Sequence, residues 1–224
     1  MEMSEQPRLV LATRNADKIR ELRALFAGLP LLAIQSATEI GAPDVVEDGQ
    51  TLEENALKKA RELAAFSGEI SVADDTGLEV DALDGAPGVY SARFAGEGSS
   101  YEDNCRKLLA ELEAVGIEVR GARFRTVMAL VDPRKRVEIS CDGELGGRIS
   151  LQARGDGGFG YDPVFELLPG SSEAAGLGLE ALPTLAQLNL AQKNEISHRG
   201  RAARLMRSLL EVYLRDYYAD SADD

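Results

Sequence analysis

Apolar positions along this chain recur with two different periods, and the switches between them predict its elements. Arg8 to Ala12 is a short apolar run after Pro7 and predicts a buried strand. From Ala16 to Ala27, the residues Ile19, Leu22, Leu25 and Phe26 keep the spacing of a helix with one apolar stripe. Thr51 and Glu54 form a Thr-x-x-Glu capping box for a helix reaching about Phe66. Its inner face carries Leu52, Ala56, Leu57, Ala60, Leu63 and Ala64. Ile70 to Ala73 is the next strand, ending in Asp74 and Asp75. Ser100 with Asp103 opens a further helix that turns Leu108, Leu109, Leu112 and Val115 inward.

Period two then takes over. Phe124 to Val131 is one run, Pro133 turns it, and Val137, Ile139 and Cys141 alternate with polar residues, the pattern of a hairpin with one wetter face. Gly155 to Gly160 is a glycine-rich loop, and Gly170 to Leu190 is a long connection with room for one short helix. Arg201 to Tyr213 predicts a closing helix with Leu205, Leu209, Val212 and Tyr213 inward. No repeat and no separating linker interrupts the order, which predicts one domain over residues 1–216 and a frayed acidic tail, 217–224. Helices alternating with strands around a central hairpin predict an α/β fold with a mixed sheet.

Composition narrows the partners. The 224 residues are 44% hydrophobic and 28% charged, ordinary for a soluble globular chain. No apolar run is long enough to span a membrane. Met1 to Pro7 has neither the basic nor the apolar region of a signal peptide. Cys105 and Cys141 sit in separate periodic segments and are expected as reduced, packed thiols of a cytoplasmic protein. With 25 basic and 38 acidic residues the net charge is −13, which opposes nucleic-acid binding. A small polyanion can still bind where local cations or a metal reverse the field. The single histidine, His198, and two distant cysteines leave too few ligands for a zinc tetrahedron. A catalytic metal would be a hard cation held by carboxylates.

Four segments carry candidate chemistry. In Thr13-Arg14-Asn15-Ala16-Asp17-Lys18 a strand gives way to a helix, whose N-terminal N–H groups suit a phosphate. Thr13 and Asn15 can donate to phosphate oxygens and Lys18 adds charge; the plain alternative is an asparagine cap beside a solvated lysine. Asp74 and Asp75 stand where α/β folds place ligands, and Glu47 can join one of them around a cation; the alternative is a turn with capping aspartates. In Gly157-Gly158-Phe159-Gly160-Tyr161-Asp162 the glycines admit a flat ligand, Phe159 can stack on a base and Asp162 can accept from it. The alternative there is a hairpin turn with a core phenylalanine. Lys193, His198 and Arg199 form a donor cluster before the last helix, in which the histidine can equally be structural.

Taken together, these segments resemble the inosine-triphosphate pyrophosphatase family over about Arg8 to Leu210. The likeness is carried by Thr13-x-Asn15-x-x-Lys18, Glu47 with Gly49, Glu54-Asn55-Ala56 and Ala73-Asp74-Asp75-Thr76-Gly77-Leu78. It continues through Gly85-Ala86-Pro87-Gly88-Val89-Tyr90-Ser91-Ala92-Arg93, the Gly157 to Pro163 segment and Ile196-Ser197-His198-Arg199-Gly200. Thr76 replaces a usual serine but keeps the hydroxyl, Gln192 replaces a usual acid, and Gly170 to Leu190 is longer than is typical.

The resemblance implies a homodimer with a long mixed sheet flanked by helices, two lobes and an active-site cleft between them. It implies water attack on the α-phosphate of a non-standard purine triphosphate (ITP, dITP or XTP), releasing a monophosphate and pyrophosphate with Mg2+ as cofactor. Thr13, Arg14, Asn15, Ala16, Asp17 and Lys18 would hold phosphates, with Arg93 assisting. Glu47 and Asp75 would bind magnesium, Asp75 would also be the general base, and Thr76 would contact substrate. Phe159, Gly160, Tyr161, Asp162, Lys193, His198 and Arg199 would surround base and sugar. A 6-keto purine offers an acceptor to Arg199 or His198, whereas adenine's amino group would leave those donors unpaired at about 1–3 kcal/mol. Two rivals differ in kind: a sensor that binds without hydrolysis, which the retained carboxylates oppose, and a pyrophosphatase for pyrimidine or modified nucleotides.

Overall fold

Strand, helix and strand succeed one another from the first described residue of this computed structural model, which describes residues 8–29, 33–176 and 182–220. The order is β1 (Arg8–Leu11), α1 (Ala16–Leu25), β2 (Ala33–Ser36), α2 (Leu52–Ser67), β3 (Ile70–Val80), β4 (Pro87–Gly88) and α3 (Tyr101–Glu111). It continues with β5 (Gly121–Asp132), β6 (Val137–Ile149), β7 (Phe165–Glu166), α4 (Ser172–Gly176), α5 (Leu190–Ile196) and α6 (His198–Asp220). The sheet is mixed, with strand order β2-β1-β3-β5-β6-β7 and β4 paired to β3. β1 runs parallel to β2 and β3, while β4 and β7 pair antiparallel. Among the described residues no helix is long and apolar enough to cross a membrane.

The chain divides into two compact units. The first comprises Met1–Asp75, Val127–Asp142 and Ala202–Asp224, the second Thr76–Thr126 and Gly143–Arg201. β3, β5 and β6 each contribute residues to both. Each unit has its own apolar core. In the first, Leu9, Leu11, Ile70, Val72, Met128 and Leu130 of the strands meet Leu22 and Phe26 of α1 and Met206 and Leu210 of α6. In the second, Leu78, Leu145 and Phe165 pack with Leu108, Leu112, Phe124 and Leu185. Burying such side chains at about 1.5–3 kcal/mol each is what pins the strands' facing.

Local chemistry explains the helix starts. Thr51 and Ser100 both close the expected capping boxes, with Glu54 and Asp103. Three expectations need correction. β3 does not stop at Asp74 and Asp75 but runs through them to Val80, because Leu78 and Val80 continue the buried alternation past Gly77. The last helix begins at His198, not Arg201, and its buried face is Ala202, Ala203, Met206, Leu210 and Leu214. Leu205 and Val212, expected inward, are 48% and 54% exposed and lie off this stripe. Helix α6 ends at Asp220. Met1 to Pro7, part of the Gly170 to Leu190 connection (177–181) and the last four residues lie outside the described residues.

Candidate active site

In the first unit, the turn after β1 is built by two short side chains. Asn15 caps α1, its carbonyl oxygen accepting from the backbone N–H of Asp17 and Lys18 at 2.9 and 3.2 Å. Thr13 Oγ1 accepts from Asn15 N at 3.2 Å and keeps its own proton to donate. The asparagine-cap reading therefore describes the side-chain oxygen of Asn15. Ala16 is the first helical residue. Asp17 pairs with Arg20 on the surface, a contact of little energetic weight. Arg14 reaches away to the 42–44 loop, donating to Ala42 O and pairing with Asp44 at 2.7 Å.

Lys18 turns toward β3 and places its ammonium 3.1 Å from Asp74 Oδ2. Asp75, one residue on, faces the opposite side of the strand, as a pleated backbone requires. There its carboxylate meets α2: Asn55 Nδ2 donates to Oδ2 at 3.2 Å and Lys59 Nζ to Oδ1 at 3.0 Å. The same ammonium donates to the Asp74 carbonyl at 2.7 Å and pairs with Glu47 Oε1 at 2.7 Å. Glu47, Asp75 and the Asp74 carbonyl thus meet on Lys59, a residue outside the motifs above, while the Asp74 carboxylate pairs with Lys18. Lys59 and Asn55 lie one helical turn apart on the inward face of α2, and a lysine and an asparagine within an apolar stripe were the available signal.

Burial sets the titration of this cluster. Removal from water is the main influence on Asp75 and pushes its carboxyl up, against the opposing pull of Lys59 and Lys18. Glu47 is also desolvated, but the Lys59 and Lys18 charges outweigh that and hold its carboxyl below the usual range. For Lys59, desolvation is overcome by the carboxylates of Asp75, Glu47 and Asp74, so its pKa is raised and it stays charged. A carboxylate poised above its ordinary pKa beside fixed ammonium groups is a competent proton acceptor.

In the second unit, the glycine-rich loop turns on Asp162. Its Oδ2 accepts from Phe159 N at 2.8 Å and from Lys193 Nζ at 2.6 Å. Gly158 is at φ +68°, and a Cβ there would lie 2.1 Å from that carboxylate, so the loop closes only on glycine. The Phe159 ring is half-buried, with Lys193 Nζ 4.4 Å and Arg199 Cζ 5.2 Å from its centre and Tyr101 tilted at 5.9 Å. Residues 184–188 back the loop: Gly157 N donates to Ala186 O at 3.0 Å and Ala186 N to Asp162 O at 3.2 Å.

Arg199 is 2% exposed and donates to Thr76 Oγ1 at 3.1 Å. His198 is buried and stacks on Phe124 with ring centres 4.4 Å apart. Both begin α6, and Gly200 lets this start press on α5, since a Cβ would fall 1.9 Å from Asn194 O. Tyr161 is buried and donates to Ser91 O at 2.9 Å, while Gly160 O accepts from the Cys105 thiol at 3.3 Å. Arg93 lies over Tyr90 at 5.2 Å and 3.5 Å from Glu97.

Comparison with known proteins gives consistent relatives. A family model described as the Ham1 family matches residues 9–209. The chain is 50% identical over 204 residues to a dITP/XTP pyrophosphatase of Geobacter sulfurreducens, covering 91% of this chain and 96% of that one. It is 44% identical over 210 residues to a dITP/XTP pyrophosphatase of Desulforamulus reducens, covering 94% and 97%. Among solved structures, a HAM1 protein from Coxiella burnetii superposes with a TM-score of 0.77 at 36% identity, covering 91% of this chain and 98% of that one. The Staphylococcus aureus Ham1 protein does so with a TM-score of 0.75 at 36% identity, covering 92% and 99%.

Proposed function

Because this chain belongs to the Ham1 family, we propose that it hydrolyses non-standard purine nucleoside triphosphates (ITP, dITP and XTP) to the monophosphate and pyrophosphate. The observation that carries the reading is the buried Asp75 carboxylate held between Asn55 and Lys59. Its raised pKa fits a general base, and the neighbouring ammonium groups fit a polyphosphate. Asp75 takes a proton from water as that oxygen bonds to the α-phosphorus. The bond to the bridging oxygen then breaks and pyrophosphate leaves with the electron pair. Lys18 and the α1 N-terminus offset charge on the phosphates.

Magnesium is part of this proposal. Among the described residues no group of three or more His, Cys, Asp or Glu is arranged to hold a metal alone. Magnesium, however, is commonly held by one or two carboxylates with substrate phosphates completing the shell. Glu47 and Asp75 suit that part, since both already converge on one cation, the Lys59 ammonium. When bound there, the ion would supply charge neutralisation at the phosphates.

Base selection is assigned to the second unit. Phe159 offers a stacking face, and Lys193, His198 and Arg199 offer donors suited to a 6-keto purine rather than adenine. The proposal extends to a homodimer in the cytoplasm and to no role for nucleic acid, the last supported by the −13 net charge. Pyrophosphate release measured with magnesium across inosine, deoxyinosine, xanthosine, adenosine, guanosine and pyrimidine triphosphates tests the reading. Preference for inosine and xanthosine is expected; equal rates with ATP or UTP would overturn it.

A further inference from the structure

Within the second unit, Thr126 Oγ1 lies 2.6 Å from Thr76 Oγ1, and Thr76 Oγ1 accepts from Arg199 Nη2 at 3.1 Å. Thr126 is fully buried and Arg199 nearly so. Nothing in the motifs above includes Thr126, which sits in β5 between Arg125 and Val127. We propose that Thr126 is a positioning residue for base selection: its hydroxyl fixes the Thr76 hydroxyl, which fixes the plane of Arg199. The inference rests on the reading of Arg199 as the donor that selects a 6-keto base.

A guanidinium presents five N–H donors in a rigid plane, so what it selects depends on how that plane is held. The Phe159 ring and Thr76 are among the groups that restrain it. The Phe159 ring lies 5.2 Å from Cζ, and Thr76 takes one N–H. A lone threonine hydroxyl can turn its proton and its rotamer to suit other partners. The short contact with Thr126 removes that freedom and links the three groups into one hydrogen-bonded chain, in which each bond polarises the next. Thr126 is two bonds removed from the guanidinium and acts only through it. Its loss therefore alters which base is preferred, whereas loss of a merely structural hydroxyl slows every substrate alike.

The test compares Thr126→Val, which keeps the shape and removes the hydroxyl, with Thr126→Ser, which keeps the hydroxyl, and with Arg199→Ala. Steady-state kcat/KM is measured for inosine triphosphate and ATP, with melting temperature as the control for folding. One lost hydrogen bond predicts that Thr126→Val narrows the inosine-to-adenosine preference by about three- to tenfold, while Thr126→Ser holds it within about twofold. If the valine variant fails to fold, Thr126→Ala is read in the same way. An unchanged ratio in the folded variant, with the ratio collapsed in Arg199→Ala, overturns the role of Thr126 alone. An unchanged ratio in Arg199→Ala overturns the base-selection reading and this inference with it. Equal losses for both substrates in Thr126→Val also overturn it.

Discussion

Lys59 Nζ sits 3.0 Å from Asp75 Oδ1, a charge pair whose two side chains are each 8% exposed. The contact places a fixed positive charge against the carboxylate that we propose activates water. Pairs of this kind are costly to form and costlier to break, because removing one partner strands the other in a dry site.

Lys59→Met is therefore expected to lower unfolding free energy by about 3–5 kcal/mol, since Asp75 and Glu47 lose their shared cation. Adding Asp75→Asn should recover part of that loss. Urea denaturation of the two single variants and the double variant measures the coupling; strictly additive effects would contradict the contact.

Asp75→Asn removes charge with little change in volume. Turnover should fall by about a hundredfold or more while the fold is kept. A variant that retains more than about a tenth of wild-type kcat would exclude Asp75 as the general base.

How much of this was legible in the sequence depends on what each residue competes with. The capping boxes at Thr51 and Ser100 were readable because their partners lie three residues away. Asp74 and Asp75 were legible as paired carboxylates at a strand, but their place within β3 was not, since Thr76-Gly77 punctuates the chain like a turn while Leu78 and Val80 are held by distant partners. Lys59 was hidden because a lysine on a helix ordinarily snorkels to solvent, and only tertiary pairing with Glu47 and Asp75 keeps it inside. The stripe of α6 was misphased because Ala202 and Ala203 bury as fully as any leucine yet look weak beside Leu205. Thr126 had no local signal; its partner is fifty residues away.

Phe159→Ala should weaken substrate binding more than it slows bound substrate. Base stacking of about 1–3 kcal/mol predicts a KM rise of roughly 5- to 150-fold. Unchanged kcat and KM would assign the ring to packing against Tyr101, Lys193 and Arg199 and not to the base.

Both cysteines are free and desolvated, which pushes the Cys105 thiol up to about 12 and the Cys141 thiol up to about 11. Thiolate is the reactive form, so little of it exists at pH 7 to 8. Ellman's reagent should react slowly with the native protein and fully after unfolding in guanidinium. Rapid native labelling of both thiols would contradict the burial of Cys105 and the half-burial of Cys141.

The most direct measurement is hydrolysis of inosine triphosphate in 18O-labelled water, with both products analysed by mass spectrometry. Attack at the α-phosphorus places the label in inosine monophosphate and leaves pyrophosphate unlabelled, with no orthophosphate formed. Label in the pyrophosphate, or stoichiometric orthophosphate without added pyrophosphatase, would contradict attack at the α-phosphate.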